Sequence, residues 1–115
     1  MDRQIINANK QDVMDVALKI LAIAKNSKGN MGGVNAVGNM TKIAIEIENI
    51  LPAMKANLKK ERSEIRRAKK CVYEAKDAAM SIRRDNVKRA ELWVMRLIDV
   101  LEGFIKEWRV DPYPI

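Results

Sequence analysis

The sequence predicts an all-α fold, most simply a four-helix bundle formed by a single domain of residues 1–115. Of the 115 residues, 48% are hydrophobic but only 4% are aromatic, so we expect an aliphatic core. Runs of β-branched residues bounded by turn residues, which are typical of strands, are missing. Apolar residues instead recur every three or four positions along most of the chain, as they do on one face of a helix.

The first predicted helix follows Asn9, whose side-chain oxygen is suited to accept a hydrogen bond from an unpaired amide of the first turn. Gly29 suits the left-handed position after a helix end, so the helix is expected to stop there. Its apolar stretch at residues 16–24 is about half the roughly 20 residues of a membrane span, so we expect no membrane association. The apolar positions of this helix are Val13, Val16, Ala17, Ile20, Leu21 and Ala24.

A second helix is predicted to begin between residues 35 and 39. Pro52 lies inside its apolar pattern and should bend or restart the helix, because proline lacks an amide hydrogen and its ring collides with the preceding turn. The apolar positions are Met40, Ile43, Ile47, Ile50, Leu51, Met54 and Leu58.

Residues 61–110 contain no proline and carry two apolar series. The first consists of Ile65, Ala68, Val72, Ala75, Ala79 and Ile82, and the second of Val87, Ala90, Val94, Leu97, Leu101, Phe104 and Trp108. The five-residue step between the series breaks the helical spacing. We therefore favour a turn over residues 83–86, with Asp85 as the N-cap of a fourth helix.

The alternative architecture is a helical hairpin plus one very long C-terminal helix in an oligomer. A continuous helix of about 49 residues would be roughly 73 Å long, which is too long for a monomeric domain of this size. In either case, Pro112 and Pro114 prevent further helix, so residues 111–115 are predicted to form an extended C-terminal tail.

The composition excludes several kinds of chemistry. The chain has no histidine, which is the usual general base and metal ligand, and its single cysteine, Cys71, permits neither an internal disulfide nor a cysteine-based zinc site. We therefore expect no cofactor, no metal site and no catalytic residues. A free cysteine is simplest to reconcile with a reducing, cytoplasmic location.

Four of the five glycines lie in residues 28–39, KGNMGGVNAVGN. GGVNAVGNMT resembles a Walker A loop in its glycine spacing, GNMG resembles the GXXG loop of KH domains, and AVGNMTKIAI is similar to the second half of a helix-hairpin-helix motif. Asn39 stands where the Walker lysine belongs, and strands required by the first two folds have no candidates here. The segment is therefore predicted to be a connector between helices.

Two acidic pairs suggest an enzyme as an alternative. Glu61 with Glu64 and Glu74 with Asp77 resemble the E-x-x-E and E-x-x-D pairs of the all-α nucleotide pyrophosphohydrolases, which hold magnesium between facing helices. Here both pairs fall on one predicted helix, and Glu61 and Asp77 are about 24 Å apart along it. Because magnesium needs several converging oxygen ligands, we predict that the protein is not an enzyme.

Positive charge is concentrated in the middle of the chain. The chain has 22 Lys and Arg against 15 Asp and Glu, a net charge of +7. Residues 55–89 hold thirteen basic and five acidic residues, so this third of the chain accounts for the whole excess. We predict a basic stripe that binds nucleic acid, formed by Lys59, Lys60, Arg62, Arg66, Arg67, Lys69, Lys70, Tyr73, Lys76, Arg83, Arg84, Lys88 and Arg89.

Two functional hypotheses follow. The first is a small non-enzymatic helical protein that binds DNA or RNA mainly through phosphate contacts, as a homo-oligomer or as a subunit of a larger assembly. The second is an oligomeric structural or adaptor subunit that acts through helix–helix contacts between proteins. Trp93 and Trp108 are expected in the core or in a subunit contact.

Overall fold

The computed structural model describes residues 7–32, 34–80 and 84–110, with the backbone alone at residues 84, 85, 109 and 110. The described residues form four α-helices and confirm the all-α prediction. The helices are α1 (Lys10–Ser27), α2 (Val34–Ala53), α3 (Lys59–Met80) and α4 (Arg84–Val110).

The helices form a ring in which each contacts the next in the chain and α1 also packs against α4. Within the described residues, one ion pair spans each of these four interfaces, with N–O distances of 2.5 to 3.0 Å. The pairs are Lys19–Glu46, Glu48–Lys69, Lys60–Glu107 and Lys25–Glu102. Lys60 lies in the first turn of α3 and Glu107 in the last turn of α4, so these two helices are antiparallel neighbours, as the favoured interpretation predicts. Exposed pairs of this kind each contribute about 0 to 1 kcal/mol, so the ring depends mainly on its apolar core.

The core is aliphatic, as predicted, and α3 contributes its smallest side chains. The predicted apolar face of α3 is buried from Ile65 to Ala79, with Ala68 and Ala75 fully inaccessible and Cys71 joining it, whereas Ile82 lies outside the described residues. Large side chains come from the other helices, including Ile20 of α1, Ile47 of α2 and the T-shaped Phe104–Trp108 pair of α4. Small residues on α3 let α2 and α4 approach it closely.

Both predicted signals at the ends of α1 are confirmed. The Asn9 side chain accepts a hydrogen bond from the Asp12 amide at 3.0 Å, and the Asp12 carboxylate accepts one from the Asn9 amide at 2.9 Å. This reciprocal capping box satisfies two amides at the helix start. At the other end, Gly29 has a φ of +85°, the left-handed conformation that glycine adopts without a steric penalty.

The bounds of α2 differ from the prediction. The helix begins at Val34, earlier than residues 35–39, because Ala36 is buried one turn before Met40 and extends the apolar face. Pro52 lies in the last turn, and the helix ends one residue later. Met54 and Leu58 are buried as expected, but they lie in the connection to α3 and not in a helix.

The start of α4 differs from the prediction. Since α4 begins at Arg84, residues 84–86 belong to the helix, and the prediction of Asp85 as the N-cap is wrong. α3 likewise begins at Lys59, two residues before the predicted stretch. Residues 81–83 and the predicted tail at 111–115 lie outside the described residues.

The chain before α1 is joined to the end of α2. The Ala8 amide donates a hydrogen bond of 2.6 Å to the Ala53 carbonyl, and Ala8 is fully buried. Because Ala53 ends α2, its carbonyl has no partner within that helix. None of the four described helices combines the length and the apolar character that crossing a bilayer requires.

Candidate nucleic-acid interface

One side of α3 carries a continuous row of basic and aromatic residues. They recur at steps of three and four positions, which places them on one line along the helix. We call this row the α3 ridge; it consists of Arg62, Arg66, Lys69, Tyr73 and Lys76. Arg66 is exposed and the other four are half-buried, because the ridge flanks the junction with α2. The structure therefore brings five of the predicted site residues together.

A groove of about 590 Å³ lies between the ridge and the last turns of α2. Its lining combines three cations, one carboxylate and two apolar residues, and so it is positive overall. The lining residues are Glu48, Leu51, Pro52, Arg62, Arg66 and Lys69.

Lys69 contacts two side chains at the groove. Its Nζ lies 2.6 Å from Glu48 Oε1 and 5.8 Å from the centre of the Tyr73 ring. The hydrogen bond to the Glu48 carboxylate raises the pKa of Lys69. Lys69 is therefore charged at neutral pH, but Glu48 already neutralises part of its field.

Arg62 has a structural partner. Its guanidinium donates a hydrogen bond of 2.6 Å to the Met54 carbonyl, while its Nε is buried without a hydrogen-bond partner among the described residues. Arg66, one turn further along the ridge, is exposed and forms no ion pair within the described part of the chain. Arg66 is thus the ridge cation best placed to meet an anion from solvent.

The other predicted residues of α3 divide into two groups. Lys59 and Lys70 are exposed on the outermost line of the helix, without an ion pair among the described residues. Lys60 and Arg67 lie on the side facing α4, where Lys60 pairs with Glu107, and Arg67 pairs with Glu64 at 3.3 Å. The second group therefore has less positive charge to offer a ligand.

The predicted residues beyond α3 do not continue the ridge. Lys88 and Arg89 are exposed in the first turns of α4, on a different helix. Arg84 begins that helix, but its side chain is not described, and Arg83 lies outside the described residues.

Sequence reasoning missed a basic and aromatic pair on α4. The Arg96 guanidinium lies 4.6 Å from the centre of the Trp93 ring; Arg96 is exposed and Trp93 is half-buried. Trp108, in contrast, is in the core as expected. The signal was present, because W-x-x-R places two side chains on one face of a helix. Assigning both tryptophans to apolar contacts concealed it.

The charge of Arg96 acts on the same buried thiol of α3 as the charges of two basic residues of that helix. Burial raises the pKa of the Cys71 thiol, and the positive charges of Arg96, Arg67 and Lys70 act on that thiol in the opposite direction. The Arg96 charge therefore acts across the junction between α3 and α4. Arg96 thus adds a cation of α4 to the basic residues that α3 carries.

The other candidate sites take ordinary places in the fold. Gly29 and Gly32 lie in the α1–α2 connection, and Gly38 lies within α2. Both predicted acidic pairs lie on α3. The described residues hold no group of three or more side chains arranged to bind a metal ion.

No protein-family model, curated protein or solved structure matches the chain. The ligand that this surface could bind is therefore inferred from the residues of the chain itself. Exposed cations with few neighbouring acids attract polyanions, and two half-buried aromatic rings provide flat apolar faces beside them.

Proposed function

We propose that the protein binds nucleic acid through phosphate contacts made by the exposed face of α3. The observation that supports this most directly is the alignment of the α3 ridge beside Lys59 and Lys70 on one helix. A folded domain needs charge for solubility, but solubility does not require the charge to be gathered on one face.

The length of the ridge suits a nucleic-acid backbone. Arg62 and Lys76 are about 21 Å apart along the helix at 1.5 Å per residue. A duplex advances 3.4 Å per phosphate of one strand, so the ridge would lie along roughly six base pairs. Asp77 and Glu74, both exposed toward the far end of α3, repel phosphates there, so we expect the closest contacts nearer the start of the ridge.

Salt dependence tests this proposal, because each neutralised phosphate releases bound counterions. We expect four to five phosphate contacts, and hence roughly a 100-fold to 500-fold loss of affinity for generic duplex DNA between 50 and 200 mM salt. The double variant Arg66→Glu and Lys70→Glu should weaken binding and lower the slope of log affinity against log salt by about two.

A matched control changes the same charge elsewhere. Lys42 and Lys106 are exposed, one turn from Glu46 and Glu102 respectively, on the sides of α2 and α4 that face α1. Lys42→Glu with Lys106→Glu should weaken binding much less than the α3 double variant. Absence of binding at 50 mM salt, or equal losses in both double variants, would refute the proposal.

A second candidate function is that of a subunit assembled through the outer face of α4. Leu92 and Met95 lie three residues apart on that helix with 56% and 48% of their surface exposed, which favours a contact with another protein. Such an assembly agrees with the alternative hypothesis of a homo-oligomeric or adaptor subunit, in a cytoplasmic setting that keeps Cys71 reduced.

Light scattering over a concentration series tests the second candidate. The wild-type chain should associate as its concentration rises, and Leu92→Glu should shift it to monomers. Ile45→Glu is the matched control, since Ile45 is 54% exposed on α2. A wild-type protein that is monomeric at all concentrations would exclude self-assembly.

A further inference from the structure

The Trp93–Arg96 pair is built differently from the other cation and ring contacts at the surface. A planar guanidinium lies over the half-buried indole at 4.6 Å, and Arg96 is itself exposed. Arg96 forms no ion pair within the described residues, so no carboxylate covers it there. In this pair, the Trp93 ring packs against the core and the flat guanidinium of Arg96 is exposed to solvent.

The Lys69–Tyr73 contact on the ridge does not offer the same surface. Lys69 carries a compact ammonium group, which has no flat face, and Glu48 already holds it at 2.6 Å. A planar ligand finds support on guanidinium and aromatic planes, not on an ammonium group. The Trp93–Arg96 pair is therefore the better stacking surface.

Basic residues of α3 lie on the side of the junction opposite this pair. Arg67 and Lys70 precede Cys71 by four residues and one residue on α3, and the Arg96 charge acts on the same thiol. Of these, Lys70 is exposed and has no ion pair among the described residues, whereas Arg67 pairs with Glu64. A nucleotide whose base lay on Arg96 would thus have cations for its phosphates across the junction.

We infer that Trp93 and Arg96 form a stacking platform for an unpaired nucleobase, and that the preferred ligand is single-stranded nucleic acid. This inference rests on the proposed function and narrows its substrate class. Bases in a duplex already stack on each other, so only an unpaired base has a free face for the platform. The backbone of the strand would then follow Lys70 toward the ridge.

The test compares a 20-nucleotide oligothymidylate with a 20-base-pair duplex at 50 mM salt. Arg96→Lys keeps the charge but removes the planar group, and Trp93→Leu removes the ring beneath it. Loss of a base stack costs roughly 1 to 3 kcal/mol, so each variant should bind the single strand about 5-fold to 150-fold more weakly. Binding to the duplex should change by less than about twofold.

Arg66→Lys is the matched control, since it makes the same substitution on the ridge, where only charge is needed. It should bind both nucleic acids as the wild type does. Trp93→Leu could perturb the core, but Arg96→Lys alters only an exposed side chain, and its result alone decides the matter.

The outcomes separate the two proposals. If the wild type binds both nucleic acids and Arg96→Lys changes neither affinity, or changes both equally, the stacking platform is refuted while phosphate binding stands. If the wild type binds neither nucleic acid at 50 mM salt, the proposed function fails, and the inference fails with it. Selective loss of single-strand binding in Arg96→Lys supports the platform.

Discussion

The guanidinium of Arg62 on α3 donates a hydrogen bond of 2.6 Å to the carbonyl of Met54, the first residue after α2. The bond ties α3 to the connection that precedes it. Hydrogen bonds from charged groups contribute about 1.5 to 3 kcal/mol, so Arg62→Ala should lower the free energy of unfolding by that amount. Urea denaturation of the variant and the wild type measures this loss in the free energy of unfolding.

Arg66→Ala is the control for this prediction, because it removes the same charged group one turn away, where it is exposed. Its effect should stay within about 0.5 kcal/mol. Equal losses of stability in the two variants would mean that the bond to Met54 contributes nothing.

Substitution of glycine by alanine should have opposite effects at two positions. Gly29 has a φ of +85°, so Gly29→Ala should destabilise the protein by about 1 to 2 kcal/mol. Gly38 lies inside α2 with open space where an added Cβ would lie, so Gly38→Ala should stabilise the protein by about 0.5 to 1 kcal/mol. Thermal or urea unfolding of the two variants tests the signs, and the same sign for both would contradict the assigned backbone conformations.

The alanine face of α3 should not tolerate larger side chains. Ala75 is fully buried, so Ala75→Leu should cost about 1 to 3 kcal/mol through overpacking. Glu74→Leu introduces the same side chain on the exposed side of the helix and should change stability by less than about 0.5 kcal/mol. If urea unfolding gave equal midpoints for both variants, α2 and α4 would not be closely packed on α3.

Cys71 should make stability depend on pH in the alkaline range. Burial raises the pKa of its thiol in the folded protein above that in the unfolded chain. The stabilisation that the neutral thiol provides is thus complete below about pH 8.5, which is the pKa of the thiol in the unfolded chain. This stabilisation is lost as the pH rises through the pKa of the thiol in the folded protein.

Two measurements check this behaviour of Cys71. The free energy of unfolding should fall more steeply above about pH 8.5 in the wild type than in Cys71→Ala. Iodoacetamide should alkylate the native thiol much more slowly than the unfolded one, since the thiolate is the reacting form. Alkylation at equal rates with and without urea would show that Cys71 is accessible in the native protein.

Features set by neighbouring residues were predictable from the sequence, whereas features set by contacts between helices were not. Asn9 and Gly29 act on amides and dihedral angles a few residues away, so their roles were correctly predicted. The ends of α2 and the starts of α3 and α4 were misplaced by one to a few residues. At the end of α2, the Ala53 carbonyl accepts a hydrogen bond from the Ala8 amide, and the Met54 carbonyl accepts one from the Arg62 guanidinium. No local sequence pattern reveals these partners.

The candidate site divides in the same way. The sequence predicted a basic stripe of thirteen residues, and the structure has five of them, Arg62, Arg66, Lys69, Tyr73 and Lys76, on one line of α3. Their partners could not be predicted, because Glu48 and Met54 reach the ridge only when α2 packs against α3. The Trp93–Arg96 contact could have been predicted from the sequence, since both residues belong to one helix and are three positions apart.

Because the Ala8 amide donates a hydrogen bond to the Ala53 carbonyl, exchange of the Ala8 amide proton reports whether α1 stays packed on α2. Ala8 precedes α1, where a backbone amide would ordinarily exchange with solvent deuterium at once. Here its partner belongs to α2, so exchange requires α1 and α2 to separate at this end. Slow exchange at Ala8, matching that of the buried helix amides, would mean that the first helix opens only when the whole bundle does. Faster exchange would identify α1 as the part of the protein that detaches first.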